Sequence, residues 1–196
     1  MIFENSGKIY RFKLDHNLGF GFAEIYDFTD TSPFDGIIIY VFDKIEKVEK
    51  TAYSINQIRD SKIALGPIRI NKLPNVKGKL SWKFLFQNNS FLISELPKSK
   101  ELRGLLNKNA DWSKIDGWYT SDNQFANYEK IRPLETRILN HPSNVITKFS
   151  MKVLIRNNEN ISSYYDLNDL GIRNLYLQLV NTYYSKKDVE KLLTII

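Results

Sequence analysis

The sequence of 196 residues contains no cysteine and two histidines, His16 and His141. The lack of cysteine excludes disulfide bonds, thiolate nucleophiles and cysteine-based zinc sites, and it is typical of a reducing compartment. Metal sites built on histidine have paired ligands at a fixed spacing, and neither histidine has such a partner. We therefore expect a protein that holds no metal and no cofactor.

Long apolar stretches are also missing. No run approaches the roughly 20 apolar residues that a membrane-spanning helix requires. The opening stretch MIFENSGKIYRF does not combine a basic segment with an apolar one, as a secretory signal does. We therefore expect a cytoplasmic protein with no membrane partner.

The motifs of common enzyme chemistries are absent as well. The Gly-Phe-Gly at 19–21 resembles part of a phosphate-binding loop, but it opens a strand-like segment with no helix N-terminus to hold pyrophosphate. Asp27, Asp30 and Asp35 could form a carboxylate cluster, although acids at such positions more often cap turns and keep strand edges soluble. We expect that the protein is not an enzyme. The alternative, an enzyme with an unrecognised acid pair, would lose its turnover when Asp27, Asp35 or Asp43 is changed.

The net charge of +6 is unevenly distributed. Residues 76–150 carry twelve basic and seven acidic side chains, hence five of the six net positive charges. A basic region is compatible with a nucleic acid, an acidic membrane or an acidic protein partner, and also with a plain solvated surface. Because these lysines are scattered singly, the pattern favours the solvated surface over a nucleic-acid site.

Apolar alternation predicts strands throughout the first half of the chain. Tyr10, Phe12 and Leu14 share one face of a first strand, and a second strand spans residues 20–28 after a turn. Gly19 and Gly21 indicate a bulge or a close approach of another backbone. A third strand at residues 36–43 is apolar on both faces, which is typical of a central strand.

The segments that follow complete the predicted sheet. Residues 44–62 have helical spacing, and residues 68–70 form a short strand. A hairpin follows, in which Leu80, Trp82, Phe84 and Phe86 share one face, residues 88–89 form the turn, and residues 91–93 form the return strand. With the neighbouring lysines the first strand of this hairpin resembles a single-stranded nucleic-acid platform, but a shared aromatic face is more typical of a core strand. The sequence therefore predicts an α+β protein with a bent, barrel-like antiparallel sheet in residues 1–96.

Residues 97–196 are expected to form a loop-rich region followed by C-terminal helices, packed with the sheet as one compact unit. A short helix is expected near residues 134–139, a longer one from Asp166, and a last one after Ser185, which has an acidic residue three positions later. Aromatic residues in the loop at 111–122 are typical interface anchors, although they also often pin a loop to its own domain. The candidate interface consists of Trp112, Trp118 and Tyr119, with the basic Lys114 and Arg103.

Five segments carry a likeness to a known family. They are GKIYRF (7–12), GFGFA (19–23), GIIIYVFD (36–43), GP (66–67) and GKLSWK (78–83). In these segments the chain resembles the immunity protein 26 family of bacterial polymorphic toxin systems. The resemblance covers residues 7–86 and implies a protein that neutralises a cognate toxin by binding it, without enzymatic activity.

The resemblance predicts a protein partner. Toxins that cleave nucleic acid tend to be basic and are met by acidic inhibitors. A chain with a net charge of +6 does not fit that pattern, so we expect a neutral or acidic toxin, or an interface led by aromatic contacts. The alternative is a nucleic-acid-binding module, whose affinity would fall steeply with salt.

Overall fold

The computed structural model describes residues 6–29, 36–50, 52–75, 82–87, 131–135 and 138–194 in full, and residues 100–102, 118–120 and 125–126 as backbone. The chain divides into two compact units. The first consists of Met1–Pro97 and Leu139–Asn157, and the second of Lys98–Ile138 and Asn158–Ile196. The first unit thus contains residues 139–157 in addition to the N-terminal residues 1–96 that the sequence analysis assigns to the sheet.

The first unit is built on an antiparallel sheet of five strands in the order β4-β3-β2-β1-β5. The strands are β1 (Lys8–Lys13), β2 (Phe20–Asp27), β3 (Ile37–Glu46), β4 (Ile63–Ile70) and β5 (Lys83–Gln87). The predicted α+β class and the central position of the third strand are confirmed. The sheet is open, with β4 and β5 at its edges, and does not close into a barrel.

The two glycines at the start of β2 have the roles predicted for them. Gly19 has a φ of 118°, and a Cβ there would lie 2.6 Å from the backbone oxygen of Glu46. The pairing of β2 with β3 shifts register just after Gly21. A Cβ on Gly21 would lie 2.8 Å from the Phe12 ring and 2.9 Å from the Phe149 ring. Both positions therefore require glycine because neighbouring atoms occupy the space of a side chain.

One face of the sheet, here called the helix face, packs against α2 (Pro142–Arg156). Phe12 and Phe149 meet edge to face with their ring centroids 6.1 Å apart. Asp15, in the turn after β1, accepts a 3.0 Å hydrogen bond from Thr147 Oγ1, and its backbone N–H donates to Ser150 Oγ at 3.0 Å. These contacts fix α2 to the β1–β2 turn.

Helix α2 is not among the helices predicted for residues 97–196, which are expected near residues 134–139, from Asp166 and after Ser185. Its start carries the local signals of a helix N-terminus: His141 caps the helix through a side-chain bond from the Ser143 backbone N–H, and Pro142 occupies the first turn. The short helix expected near residues 134–139 is not seen at the described positions 134, 135, 138 and 139.

The other face of the sheet is crossed by the connection from β3 to β4, residues 47–50 and 52–62, which we call the strap. The helical segment expected at residues 44–62 is mostly not helical. β3 continues to Glu46, and a single short helix, α1 (Ile55–Arg59), forms. Ile58 of α1 is buried against a cluster of sheet residues, which are Ile9, Phe22 and Phe42. Among the described residues of the strap, Ile58 is the one whose side chain is buried against the sheet.

A register shift in β5 corrects the predicted aromatic face. Phe84 pairs with Tyr10 and Phe86 with Ile9, so one extra residue is inserted in β5 between these pairs. A bulge of this kind reverses the alternation of side chains beyond it. Phe86 therefore packs on the strap side, against the cluster that contains Ile9, and does not share a face with Trp82 and Phe84.

The second unit contains a small antiparallel sheet and two described helices. The sheet has the order β6-β7-β8, with β6 (Lys100–Leu102), β7 (Trp118–Thr120) and β8 (Phe125–Ala126). α3 (Leu170–Tyr183) begins later than expected, because the side chain of Asp169 caps it by accepting from the Ile172 backbone N–H. α4 (Lys186–Leu193) follows the predicted cap Ser185. Within the described part of the chain, no helix has the length and apolar character needed to cross a membrane.

Candidate functional site

Of the five residues of the interface predicted from the sequence, the structure describes two, and those as backbone. Arg103, Trp112 and Lys114 lie outside the described residues. The backbone of Trp118 pairs with that of Leu102 and Ala126 in the small sheet, and Tyr119 pairs with their neighbours. These two aromatic residues therefore belong to strand β7 and not to the loop expected at 111–122. Their role in binding stays a prediction.

Strand β5 brings together an alternative set of residues at the edge of the main sheet. Trp82, just before the strand, is almost fully buried and stacks on Phe12 with ring centroids 4.5 Å apart. Phe84 lies edge to face against Tyr10 at 5.7 Å, yet 45% of it is exposed. The buried tryptophan anchors the strand, and the phenylalanine two residues later remains accessible. Because its ring is covered by Phe12, Trp82 does not offer a face for stacking a nucleic-acid base.

A charged network borders this edge on the strap side. Glu49 of the strap accepts a 2.5 Å hydrogen bond from Arg11 of β1 and a 3.3 Å bond from Lys83 of β5. Arg11 also donates to the Tyr53 hydroxyl at 3.2 Å. The hydrogen bonds from Arg11 and then from Lys83 lower the pKa of the Glu49 carboxyl below its ordinary value. One carboxylate thus joins the strap to two neighbouring strands.

Arg11 is unusual because its cationic side chain is only 7% exposed. Its guanidinium lies 4.7 Å from the centre of the Phe20 ring and 5.8 Å from that of Tyr53. Burial opposes the charged form, but the hydrogen bonds to Tyr53 and Glu49 outweigh it and the pKa of Arg11 lies above its ordinary value. The side chain is therefore held as a cation between two aromatic rings.

A second ion pair lies further along the same face. The carboxylate of Glu24 on β2 is fully buried and accepts two hydrogen bonds from Arg59 of α1. One comes from Nε at 3.0 Å and the other from Nη2. The Tyr26 hydroxyl donates to the same carboxylate at 3.0 Å. The sequence carries a signal for this pair, because Glu24 interrupts an apolar strand face between Phe22 and Tyr26. A buried acid in such a place requires a cationic partner.

The aspartates considered for catalysis have structural partners where they are described. Asp27 accepts from the Thr29 backbone N–H at 3.0 Å and from its hydroxyl at 2.6 Å, which is the turn-capping role. Asp43 pairs with Arg156 at 2.7 Å. Asp30 and Asp35 lie outside the described residues. Among the residues described, no cluster of three or more histidines and acids could hold a metal ion.

The arrangement at the β5 edge is suited to binding. The ring of Phe84 is exposed on the side of β5 that packs against Tyr10, and Lys83, on the opposite side of the strand, shares the Glu49 carboxylate with Arg11.

The chain was compared with known proteins. It matches no protein-family model, no curated protein and no solved structure.

Proposed function

We propose that this chain is an immunity-type binding protein that neutralises a cognate bacterial toxin by direct protein–protein association. The observation that carries the proposal is the half-exposed ring of Phe84 on β5, the outermost described strand at one end of the main sheet. Lys83 is exposed on the opposite side of the same strand. Both residues fall within the part of the sequence that resembles the immunity protein 26 family.

The edge position of β5 supports a role in association. β5 pairs with β1 on one side, and the described residues place no strand on its other side. The return strand predicted at residues 91–93 lies outside the described residues. An edge strand offers backbone hydrogen-bonding groups to a partner, and an aromatic side chain on it supplies apolar contact area. Aromatic residues are enriched at the centres of protein interfaces.

The charges at this edge favour a partner of particular chemistry. Glu49 is neutralised by Arg11 and Lys83, so the border of the edge carries net positive charge. A neutral or acidic contact face on the toxin fits this border, whereas a basic nuclease surface would be repelled. The proposed inhibitor therefore acts on a toxin that is not strongly basic at its contact face.

A pair of matched variants tests the proposal. Phe84→Ser removes the exposed ring at the β5 edge. Ile63→Ser removes an equally exposed apolar side chain, 43% against 45%, at the opposite edge on β4. Titration calorimetry with the toxin encoded next to this gene should show at least a roughly tenfold loss of affinity for Phe84→Ser, as for other interface anchors. The loss should be negligible for Ile63→Ser.

A growth assay completes the test. Cells that express the toxin should survive when the wild-type chain or Ile63→Ser is co-expressed, and should die with Phe84→Ser. Equal protection by both variants would contradict the role of the β5 edge. The nucleic-acid alternative replaces the proposal if two results are found together. The toxin does not bind, and the chain binds single-stranded nucleic acid with an affinity that falls steeply as the salt concentration rises.

A further inference from the structure

The strap is attached to the sheet by two ion pairs, of which one has an exposed carboxylate and the other a buried one. At its start, Glu49 bonds to Arg11, and at its end Arg59 bonds to Glu24. Between these points Tyr53 contacts the Phe22 ring edge to face, with centroids 5.2 Å apart. The two ends can therefore be compared as independent attachments.

The attachment at Glu49 is weak. We call residues 47–50 and 52–54 the first arm of the strap; none of them is buried, and Val48 is 73% exposed. Glu49 itself is 51% exposed. Its bonds are open to water and ions, and exposed ion pairs contribute little stability. Segments with few buried apolar contacts are the ones that open locally without global unfolding.

The attachment at Arg59 is strong. Glu24 is fully buried, it receives two hydrogen bonds from Arg59, and the Tyr26 hydroxyl donates a third. Ile58, next to Arg59, is fully buried in the cluster around Phe22. Separating this end would leave a buried charge without its partner, which is costly. Helix α1 therefore stays docked under conditions that release Glu49.

We propose that the first arm is a hinged cover that opens from the sheet while α1 remains in place, and that opening uncovers Arg11. In the closed state Glu49 and Tyr53 cover the guanidinium on the strap side. When the arm lifts, Arg11 remains above the Phe20 ring and becomes accessible to solvent. This inference does not depend on the proposed function, because it concerns only the motion of the strap.

Hydrogen exchange measured by mass spectrometry tests the motion on the full chain. Glu49→Gln removes the charge that holds the first arm. Asp43→Asn is the matched control, since it removes the charge of another exposed carboxylate, which pairs with Arg156. We expect backbone amides of the first arm to exchange about two- to fivefold faster in Glu49→Gln, the effect of losing an exposed ion pair. Amides of α1 and β2 should be unchanged, and Asp43→Asn should match the wild type.

Chemical labelling gives an independent measurement. Phenylglyoxal reacts with accessible guanidinium groups, and peptide mapping separates Arg11 from Arg59. Arg11 should be labelled faster in Glu49→Gln than in the wild type, while Arg59 remains protected in both. Raising the salt concentration on the wild-type protein should have the same direction of effect, because salt screens exposed pairs.

Three results would overturn the proposal. The first is equal exchange of the first arm in Glu49→Gln and Asp43→Asn. The second is acceleration of α1 together with the first arm, which would mean that the strap opens as a whole. The third is labelling of Arg11 that does not increase in Glu49→Gln.

Discussion

The Glu24 carboxylate and the Arg59 guanidinium meet side by side, with two hydrogen bonds between a strand of the sheet and the helix of the strap. The acid is completely buried and the arginine nearly so. Burial lowers the pKa of Arg59, but the hydrogen bonds and charge of Glu24 outweigh it, so the pKa is raised overall. The pair joins two segments that are 35 residues apart in sequence.

Replacing one member of this pair should destabilise the fold. Glu24→Gln leaves Arg59 with its charge in a site shielded from water, and such changes cost about 3–5 kcal/mol. Urea unfolding followed by circular dichroism measures the change. The control Asp43→Asn breaks an exposed pair and should cost about 1 kcal/mol or less. A double change, Glu24→Leu with Arg59→Met, should recover much of the loss. A free energy of unfolding of Glu24→Gln within 1 kcal/mol of the wild type would contradict this account.

Gly21 should not tolerate even a methyl group. In Gly21→Ala the new Cβ meets the Phe12 and Phe149 rings at less than 3.0 Å, so the rings must move. Overpacking of this kind costs about 1–3 kcal/mol. Thermal unfolding measures the loss. In a Phe149→Ala background the cost of Gly21→Ala should be smaller, by a coupling of about 0.5 kcal/mol or more. Additive effects would mean that Phe149 does not pack on Gly21.

The bond between Arg11 and Glu49 should respond to acid. The pKa of Glu49 lies below its ordinary value of 4.5, so the folded chain favours its charged form. The stabilising contribution is therefore complete above 4.5 and is lost as the pH falls through the lowered pKa. A carboxyl carbon-13 titration should give a midpoint below 4.5 in the wild type. In Arg11→Met the midpoint should return toward the ordinary value, and in Lys83→Met it should return less. A midpoint in Arg11→Met that is the same as in the wild type would disprove the assignment.

Ser185 should stabilise the start of α4. Its hydroxyl accepts from the Asp188 backbone N–H at 3.2 Å and donates to the Asp188 carboxylate at 2.5 Å. Ser185→Ala removes this cap and should cost about 1 kcal/mol, while Ser185→Thr should keep most of it. Hydrogen exchange of the first turn of α4 reports the change directly. If alanine and threonine behave alike, the cap does not contribute.

Local signals explain which parts of the fold were predictable. The strand that contains Tyr10, Phe12 and Leu14 follows from apolar alternation, and the strand at residues 36–43 follows from a short continuous apolar run. The cap at Ser185 follows from the acidic residue three positions later. Helix α2 is missing from the prediction although Pro142 marks its start, because the residues that precede it lack a regular pattern. Phe86 was placed on the wrong face because one inserted residue reverses alternation, and a bulge leaves no clear mark in a short strand.

The candidate site was harder to predict because its contacts are long-range. Arg11 and Glu49 are 38 residues apart, and no spacing rule connects them. Glu24 was recognisable as an acid within an apolar strand, but nothing in the sequence identifies Arg59 as its partner. The exposure of Phe84 depends on its place at the edge of the sheet, which becomes known only once the order of the strands is established.

The two ion pairs under the strap have opposite polarity. On the sheet, β1 supplies a cation and β2 an anion, whereas the strap supplies an anion first and a cation second. If the strap were laid down in the reverse direction, Glu49 would face Glu24 and Arg59 would face Arg11. Both encounters would place like charges together in a poorly hydrated site. The order of charges therefore allows one direction of docking and excludes the other.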